Sequence, residues 1–185
     1  MDKWIKLQSD IYAGKNFGEP EQVVNLKLKA YQKIFEYLKP GDKFLDLGCN
    51  SGHITFLVKE KGYEVLGVDL PEVINKIKYD IPKIALNLEQ QLPNDKYGVI
   101  FIREVIEHLR NYEEVCPKII NLLSNSGTLI ITAPNNKMDG PAINKQHIRI
   151  FENKELDKLV ENSGGIIIEA FNERRQRVVI ARKKS

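Results

Sequence analysis

Two spacings of hydrophobic residues take turns along most of this chain, and the switches between them mark its elements. Short apolar runs of the kind buried in a parallel sheet occur at Phe44, Leu45 and Leu47, at Val65, Leu66 and Val68, and over 83–86, 97–103 and 127–133. Helical spacing between them predicts helices over 52–61, 72–79, 111–123 and 153–162. Upstream, 21–38 follows Pro20 with a broad apolar face of Val24, Leu26, Leu28, Tyr31, Ile34, Phe35 and Leu38, and Lys39-Pro40-Gly41-Asp42 ends it. The last two strand-like runs, 165–171 and 177–181, are joined by a short polar stretch that suits an antiparallel hairpin. Such alternation predicts an α/β fold: an open, mostly parallel sheet with helices on both faces, whose ligand sits outside the carboxyl ends of the strands.

The segment FLDLGCNSGHITFLVKEKGYEVLGVD, 44–69, carries most of the chemistry. Gly48 follows the first apolar run where the chain must turn sharply, and Gly52 opens the next helix. With so little bulk between them, backbone N–H groups and the helix N-terminus can approach a ligand closely. Asp69 closes the following strand, about 20 residues after the turn, where an acid accepts hydrogen bonds from both ribose hydroxyls. A nucleoside ligand is expected. A dinucleotide fingerprint would need glycine at Asn50 and His53, and neither is one. Asp46, at the strand end, would repel a pyrophosphate but suits a ligand with a cationic amino-acid tail.

These residues resemble motif I of the class I methyltransferases that use S-adenosylmethionine, D-x-G-x-G-x-G, with Asp46, Gly48 and Gly52 matching and Asn50 in place of the middle glycine. Asn tolerates left-handed backbone better than most residues. The resemblance implies a Rossmann-like sheet ending in the antiparallel hairpin, with cofactor contacts from Asp46, Gly48, Cys49, Asn50, Gly52, Asp69, Leu70 and Arg103. The third strand runs into Asn87, Leu88 and Glu89, similar to the family position where an apolar side chain packs the adenine face and a polar group reads its edge; a solvated loop is the alternative.

A second segment, FIREVIEHL, resembles the E-V-x-E-H stretch of the methyltransferase group that includes the ubiquinone-pathway O-methyltransferases; 127–135 and 147–156 look like the same group. If the chain turns helical after its strand, Glu104, Glu107 and His108 fall at i, i+3 and i+4 on one face, looking into the crevice. Methyl transfer from a sulfonium needs little beyond positioning and removal of a proton from an attacking hydroxyl, so His108 is the candidate base, with Glu107 or Glu104 to orient it. The alternative is that these residues only cap and solvate a helix start. With His147 they also make an O2N2 donor set acceptable to Mg, Mn or Zn, similar to that of the terminal ribose 2′-O-methyltransferases of small RNAs. Against that, Ile148-Arg149 follows His147 and the extra RNA-binding segments are lacking. His53 is expected near the cofactor or in solvent.

Composition narrows the picture. A length of 185 residues and 29% charged residues suit one soluble domain over 1–185, with 1–20 matching nothing and having no assigned role. The net charge of +3 is small, and its basic cluster, Arg174, Arg175, Arg177, Arg182, Lys183 and Lys184, reads as a solvated face or frayed tail. No apolar run suits a signal peptide or a bilayer span. Two cysteines, Cys49 in the turn and Cys116 in a helix, suit a reduced, cytoplasmic protein. The polar loop 135–146 reads as a lid or as a simple connection, and Trp4, Tyr12 and Phe17 could fold over the cofactor. The small size favours a sugar, phenol or nucleotide end as acceptor over an elaborate one. Four functions follow: transfer of a methyl group to a small-molecule hydroxyl, metal-assisted RNA or nucleotide 2′-O-methylation, N- or C-methylation, and a non-catalytic cofactor-binding partner subunit.

Overall fold

The computed structural model describes residues 28–135, 149–152 and 154–184. The described elements are α1 (Lys29–Tyr37), β1 (Lys43–Leu47), α2 (His53–Glu60), β2 (Glu64–Asp69), α3 (Pro71–Ile74), β3 (Lys83–Ala85), β4 (Tyr97–Arg103), a single 3₁₀ turn (Ile106–His108), α4 (Tyr112–Asn121), β5 (Leu123–Pro134), α5 (Glu155–Asn162), β6 (Gly165–Glu173) and β7 (Gln176–Lys183). Their strands form one sheet in the order β3-β2-β1-β4-β5-β7-β6, parallel from β3 to β5 and antiparallel at β5–β7 and β7–β6. The strand order reverses at β1, which makes the rim beside it the place for a ligand.

Both faces are covered, which is why the central strands read as unbroken apolar runs. On one face Leu45, Leu47, Ile100, Ile102, Leu129 and Ile131 pack under α4 and α5 through Val115, Ile119, Leu156 and Val160. On the other, Phe44, Val99, Phe101, Ile130 and Val178 meet Tyr31 and Ile34 of α1, Leu38 just after it and Val58 of α2. A third, small cluster of Cys49, Ile74, Ile77 and Ile81 sits beneath the turn after β1.

Most expected elements are present with shifted ends. The helix expected over 72–79 is the exception, for α3 stops at Ile74. Beyond it Ile77 and Ile81 are drawn against the turn, where a Cβ at Gly52 would lie 2.9 Å from Ile77 and 2.7 Å from Ile81. Of the helix expected over 21–38, the first seven residues lie outside the described residues, as do Trp4, Tyr12, Phe17, 136–148 and Asn153. The basic cluster is no frayed tail. Arg177 lies in β7 and forms a forked ion pair with Asp157 of α5, Nε to Oδ1 at 2.8 Å. Among the described residues no helix is long and apolar enough to cross a membrane, and Cys49 and Cys116 are free and buried.

Candidate active site

Three left-handed residues reverse the chain between β1 and α2: Gly48 (φ 77°), Asn50 (φ 51°) and Gly52 (φ 76°). Glycine is needed at the first for space as well as conformation, since a Cβ there would stand 2.2 Å from Val105 Cγ2. The turn after β1 and the segment after β4 are therefore in direct contact. Asn50, which stands where the motif has its middle glycine, is itself left-handed, and this aims its amide at Asp69: its N–H donates to Oδ2 at 2.8 Å while that of Leu70 donates to Oδ1 at 2.8 Å. Both carboxylate oxygens are thereby oriented, and each keeps a lone pair for a hydroxyl. Burial outweighs these two bonds and raises the Asp69 carboxyl to about 6.

Four amides of this turn are spent inside the protein. Those of Gly48 and Cys49 donate to Val68 O at 2.8 and 3.0 Å, that of Gly52 to Cys49 O at 2.8 Å, and that of Asn50 to Asp69. The turn presents carboxylates instead. Asp46, 3% exposed, accepts from Thr55 Oγ1 at 2.7 Å. Burial lifts its carboxyl to about 7; the Asp69 charge adds to this, and Thr55 and Arg103 oppose it. Burial, with Asp46 and Asp69 beside it, also pushes the Cys49 thiol up, so Cys49 serves as an inert wall against Gly67. The His53 ring lies tilted against that of Tyr79, centroids 5.5 Å apart, and burial lowers its pKa.

A cleft of about 900 Å³ opens beyond Leu70, with Leu70, Pro71 and Leu86 as its apolar wall and Asn87, Glu89 and Asn111 as polar groups. Leu88 is not part of that wall. It is buried in the sheet core, so the apolar side chains able to pack a ring are Leu70 and Leu86. Asn87 Oδ1 accepts from Glu89 N–H at 2.9 Å, and Glu89 accepts from Arg110 N–H at 2.6 Å, which fixes the cleft floor.

After β4 the chain does not become the expected helix. Glu104 is left-handed (φ 54°), its N–H donates to Thr132 O at 3.1 Å, and a 3₁₀ turn follows at Ile106–His108. The kink seats Val105 against Gly48 and stores roughly 1 kcal/mol or more of strain at a non-glycine residue. Glu104, Glu107 and His108 therefore do not share one helical face. Glu107 is fully buried and His108 8% exposed, with Glu107 Oε1 4.0 Å from His108 Nε2. Burial, helped by the Glu104 charge, raises the Glu107 carboxyl well above the usual range. Among the described residues no group of three or more His, Cys, Asp or Glu is placed to hold a metal ion, and His147 lies outside them.

One residue at this rim escaped the sequence reading. Tyr31 of α1 is 3% exposed and accepts a hydrogen bond from Arg103 Nη1. Burial raises its hydroxyl pKa, with the Arg103 charge opposing and Asp46, Glu104 and Glu173 adding. Its only signal was a polar tip on an apolar helical stripe.

Comparison with known proteins gives the class. A methyltransferase domain model matches residues 21–169, and the chain belongs to that family of class I S-adenosylmethionine-dependent methyltransferases. Phosphoethanolamine N-methyltransferase 3 of Arabidopsis thaliana is 27% identical over 107 residues, 51% of this chain and 21% of that protein. The mitochondrial ubiquinone biosynthesis O-methyltransferase of the same plant is 27% identical over 109 residues, 53% of this chain and 34% of its own. The chain thus spans well under half the length of these relatives. In fold, it is similar to the Burkholderia thailandensis 1,6-didemethyltoxoflavin-N1-methyltransferase, solved with 1,6-didemethyltoxoflavin and S-adenosylhomocysteine, at TM-score 0.77 and 19% identity, covering 99% of this chain and 90% of that one.

Proposed function

We propose that this chain, as one domain over 1–185, is a cytoplasmic enzyme that binds S-adenosylmethionine and transfers its methyl group to a hydroxyl of a small-molecule acceptor. The observation that carries the cofactor half is the Asn50–Asp69–Leu70 arrangement, in which a carboxylate is held by two amides at the mouth of a cleft walled by Leu70 and Leu86. Ribose hydroxyls donate to Asp69, the adenine lies in the cleft, and the cationic tail turns toward Asp46.

Support for the acceptor comes from His108. Relatives with N- and O-methyltransferase names share this fold and sequence pattern, so the fold does not choose between the atoms. Chemistry does. A neutral amine attacks the methyl carbon without prior loss of a proton, whereas a hydroxyl needs a base. His108 stands after β4, beside the buried Glu107 carboxyl, and a partner subunit that only bound cofactor would have no use for it. In this mechanism His108 takes the hydroxyl proton as the oxygen attacks and Glu107 orients the imidazole, while the kink at Glu104 seats Val105 against the turn at Gly48.

His108→Ala tests the assignment. Turnover should fall about 100-fold or more while the Kd for S-adenosylmethionine stays within about twofold. An equal loss of both would make His108 a binding or structural residue and remove the base.

A further inference from the structure

The guanidinium of Arg149 is held in a corner between two aromatic rings, beside the turn that carries Glu107 and His108, and the mechanism above leaves it unused. The Arg149 N–H donates to Glu107 O at 3.4 Å, which sets its main chain against that turn. Its side chain runs to the start of α4, with the guanidinium carbon 4.9 Å from the ring centroid of Tyr112 and 5.4 Å from that of Phe151. The two rings meet edge to face, their planes 84° apart and their centroids 5.6 Å apart. Phe151 is buried in the core that α4 and α5 cover, and Tyr112 packs against that core, so both walls of the corner are fixed from below.

The protein itself matches this cation poorly. Attraction to ring faces orients a guanidinium but spends none of its five N–H donors. Among the described residues its acidic partner is Glu155, whose Oε1 lies 3.5 Å from Nη2. A settled charge-assisted bond is about 2.7–2.9 Å long. Glu155 is also committed elsewhere, since its Oε2 accepts from the Glu152 N–H at 3.0 Å at the entrance to α5. Glu113, next to Tyr112 in the chain, accepts from the Tyr112 hydroxyl at 3.1 Å. Arg149 Nε is buried with no hydrogen-bond partner among the described residues, a condition that protein groups or something bound nearly always relieve. Arg177 shows the contrasting case in the same fold: its Nε and Nη2 both donate to Asp157, the first at 2.8 Å.

Position decides which ligand would complete Arg149. The nucleoside cleft at Leu70 does not include it, and its aromatic corner belongs to the α4 and α5 side of the sheet, whereas the Asp46 carboxylate bonds to Thr55 of α2. The side chain is 39% exposed, so solvent and ligands reach it. A forked cation beside the base turn and away from the cofactor groups suits a planar or tetrahedral oxyanion on the other substrate.

We infer that Arg149 is an anion-binding subsite for the methyl acceptor, so that the substrate class is a hydroxylated molecule that also carries a carboxylate or a phosphate. The guanidinium receives the anionic group as a fork while the hydroxyl faces His108, and Tyr112 and Phe151 are positioning residues that hold the guanidinium plane. Carboxylate and phosphate share this chemistry, and the experiment separates them. The inference rests on the S-adenosylmethionine reading proposed above, which has its own readout in the same titrations.

Calorimetry would titrate succinate and inorganic phosphate into the unaltered chain saturated with S-adenosylhomocysteine, and into Arg149→Met, Arg149→Lys and Arg182→Met treated alike. Arg182 is an exposed cation of β7 at the other end of the sheet, in register with Thr128. At least one anion should bind the unaltered chain and Arg182→Met equally, and Arg149→Met should weaken that binding about 10-fold or more. Arg149→Lys keeps the charge without the fork and should fall between the two. Tighter binding of succinate assigns a carboxylate to the acceptor, and tighter binding of phosphate a phosphate. S-adenosylhomocysteine should bind every variant within about twofold of the unaltered chain, which shows the crevice intact. If Arg149→Met loses that binding, the comparison is read from Arg149→Lys. Anion binding that is the same with and without Arg149, or no binding of either anion, overturns the subsite and leaves the S-adenosylmethionine reading standing. Failure of S-adenosylhomocysteine to bind the unaltered chain overturns that reading, and with it the assignment of the anion to a methyl acceptor.

Discussion

Single residues set the chemistry of this rim through two devices, close approach at glycine and carboxyls lifted by burial. Gly48→Ala combines a left-handed φ of 77° with a Cβ 2.2 Å from Val105 Cγ2, so it should destabilise the fold by roughly 2–4 kcal/mol in urea unfolding. Part of that loss should return when Val105→Ala is added, and strict additivity of the two would contradict the contact. The carboxyls predict a pH effect of definite sign. Asp46 and Asp69 titrate near 7 and 6 in the folded protein, above the ordinary 3.8 of an unfolded aspartate. The folded state thus holds protons that the unfolded chain has released. The stability these groups contribute is full below about pH 4 and is lost as pH rises through 6 to 7. Cofactor binding has the opposite slope, because the tail ammonium and the ribose hydroxyls seek ionised carboxylates. The rise in melting temperature caused by S-adenosylhomocysteine should therefore be larger at pH 8 than at pH 5.5, and an equal or smaller rise would contradict the roles given to both acids. Asp69 was legible in the sequence by its place at a strand end. The left-handed Glu104 was not, because no hydrophobic period encodes a positive φ at a non-glycine residue.

At the level of elements, the strands were the easiest part to read and the short helix α3 the hardest. Strands covered on both faces appear as apolar runs whatever they pair with, and the β6–β7 hairpin was visible from its polar turn. α3 ends at Ile74, and Ile77 and Ile81 beyond it pack under Gly52 without a helix to carry them, a tertiary contact that helical spacing does not report. The union of α1 with the sheet was equally hidden. Its N-cap residue, Leu28, offers no side-chain acceptor, and Glu173, from the far end of β6, takes the N–H groups of Lys29 and Ala30 instead, the second at 3.1 Å. Lys29 and Lys33 add ion pairs to Glu169 of the same strand, each at 2.6 Å. Glu173→Ala should cost about 1 kcal/mol, the usual scale of a lost cap, and should loosen α1 and with it Tyr31. Amide exchange would show faster exchange in 29–33 of the variant; protection equal to that of the unaltered chain would mean that the Lys–Glu169 pairs hold the helix alone.

For the whole molecule, sheet order, crevice position and family agree, and each bears on which nucleoside ligand the rim accepts. The order β3-β2-β1-β4-β5-β7-β6 puts its reversal beside β1, where the Asp46 turn, the Asp69 carboxylate and the cleft at Leu70 lie together. Dinucleotide enzymes use the same crevice but need the turn amides for a pyrophosphate. Here the amides of Gly48, Cys49, Asn50 and Gly52 are bonded within the protein, and a buried acid stands behind them. The sequence showed half of this, the missing glycines and the acid. It could not show where the amides go, since that depends on Val68 and Asp69 of a different strand. Calorimetry with S-adenosylmethionine and with NAD, on the unaltered chain and on Asp69→Ala, tests the central claim most directly. S-adenosylmethionine should bind and NAD should not, and Asp69→Ala should weaken S-adenosylmethionine by about 1.5 to 3 kcal/mol through loss of the ribose hydrogen bonds. Binding of NAD with none of S-adenosylmethionine, or an Asp69→Ala affinity equal to that of the unaltered chain, would contradict it.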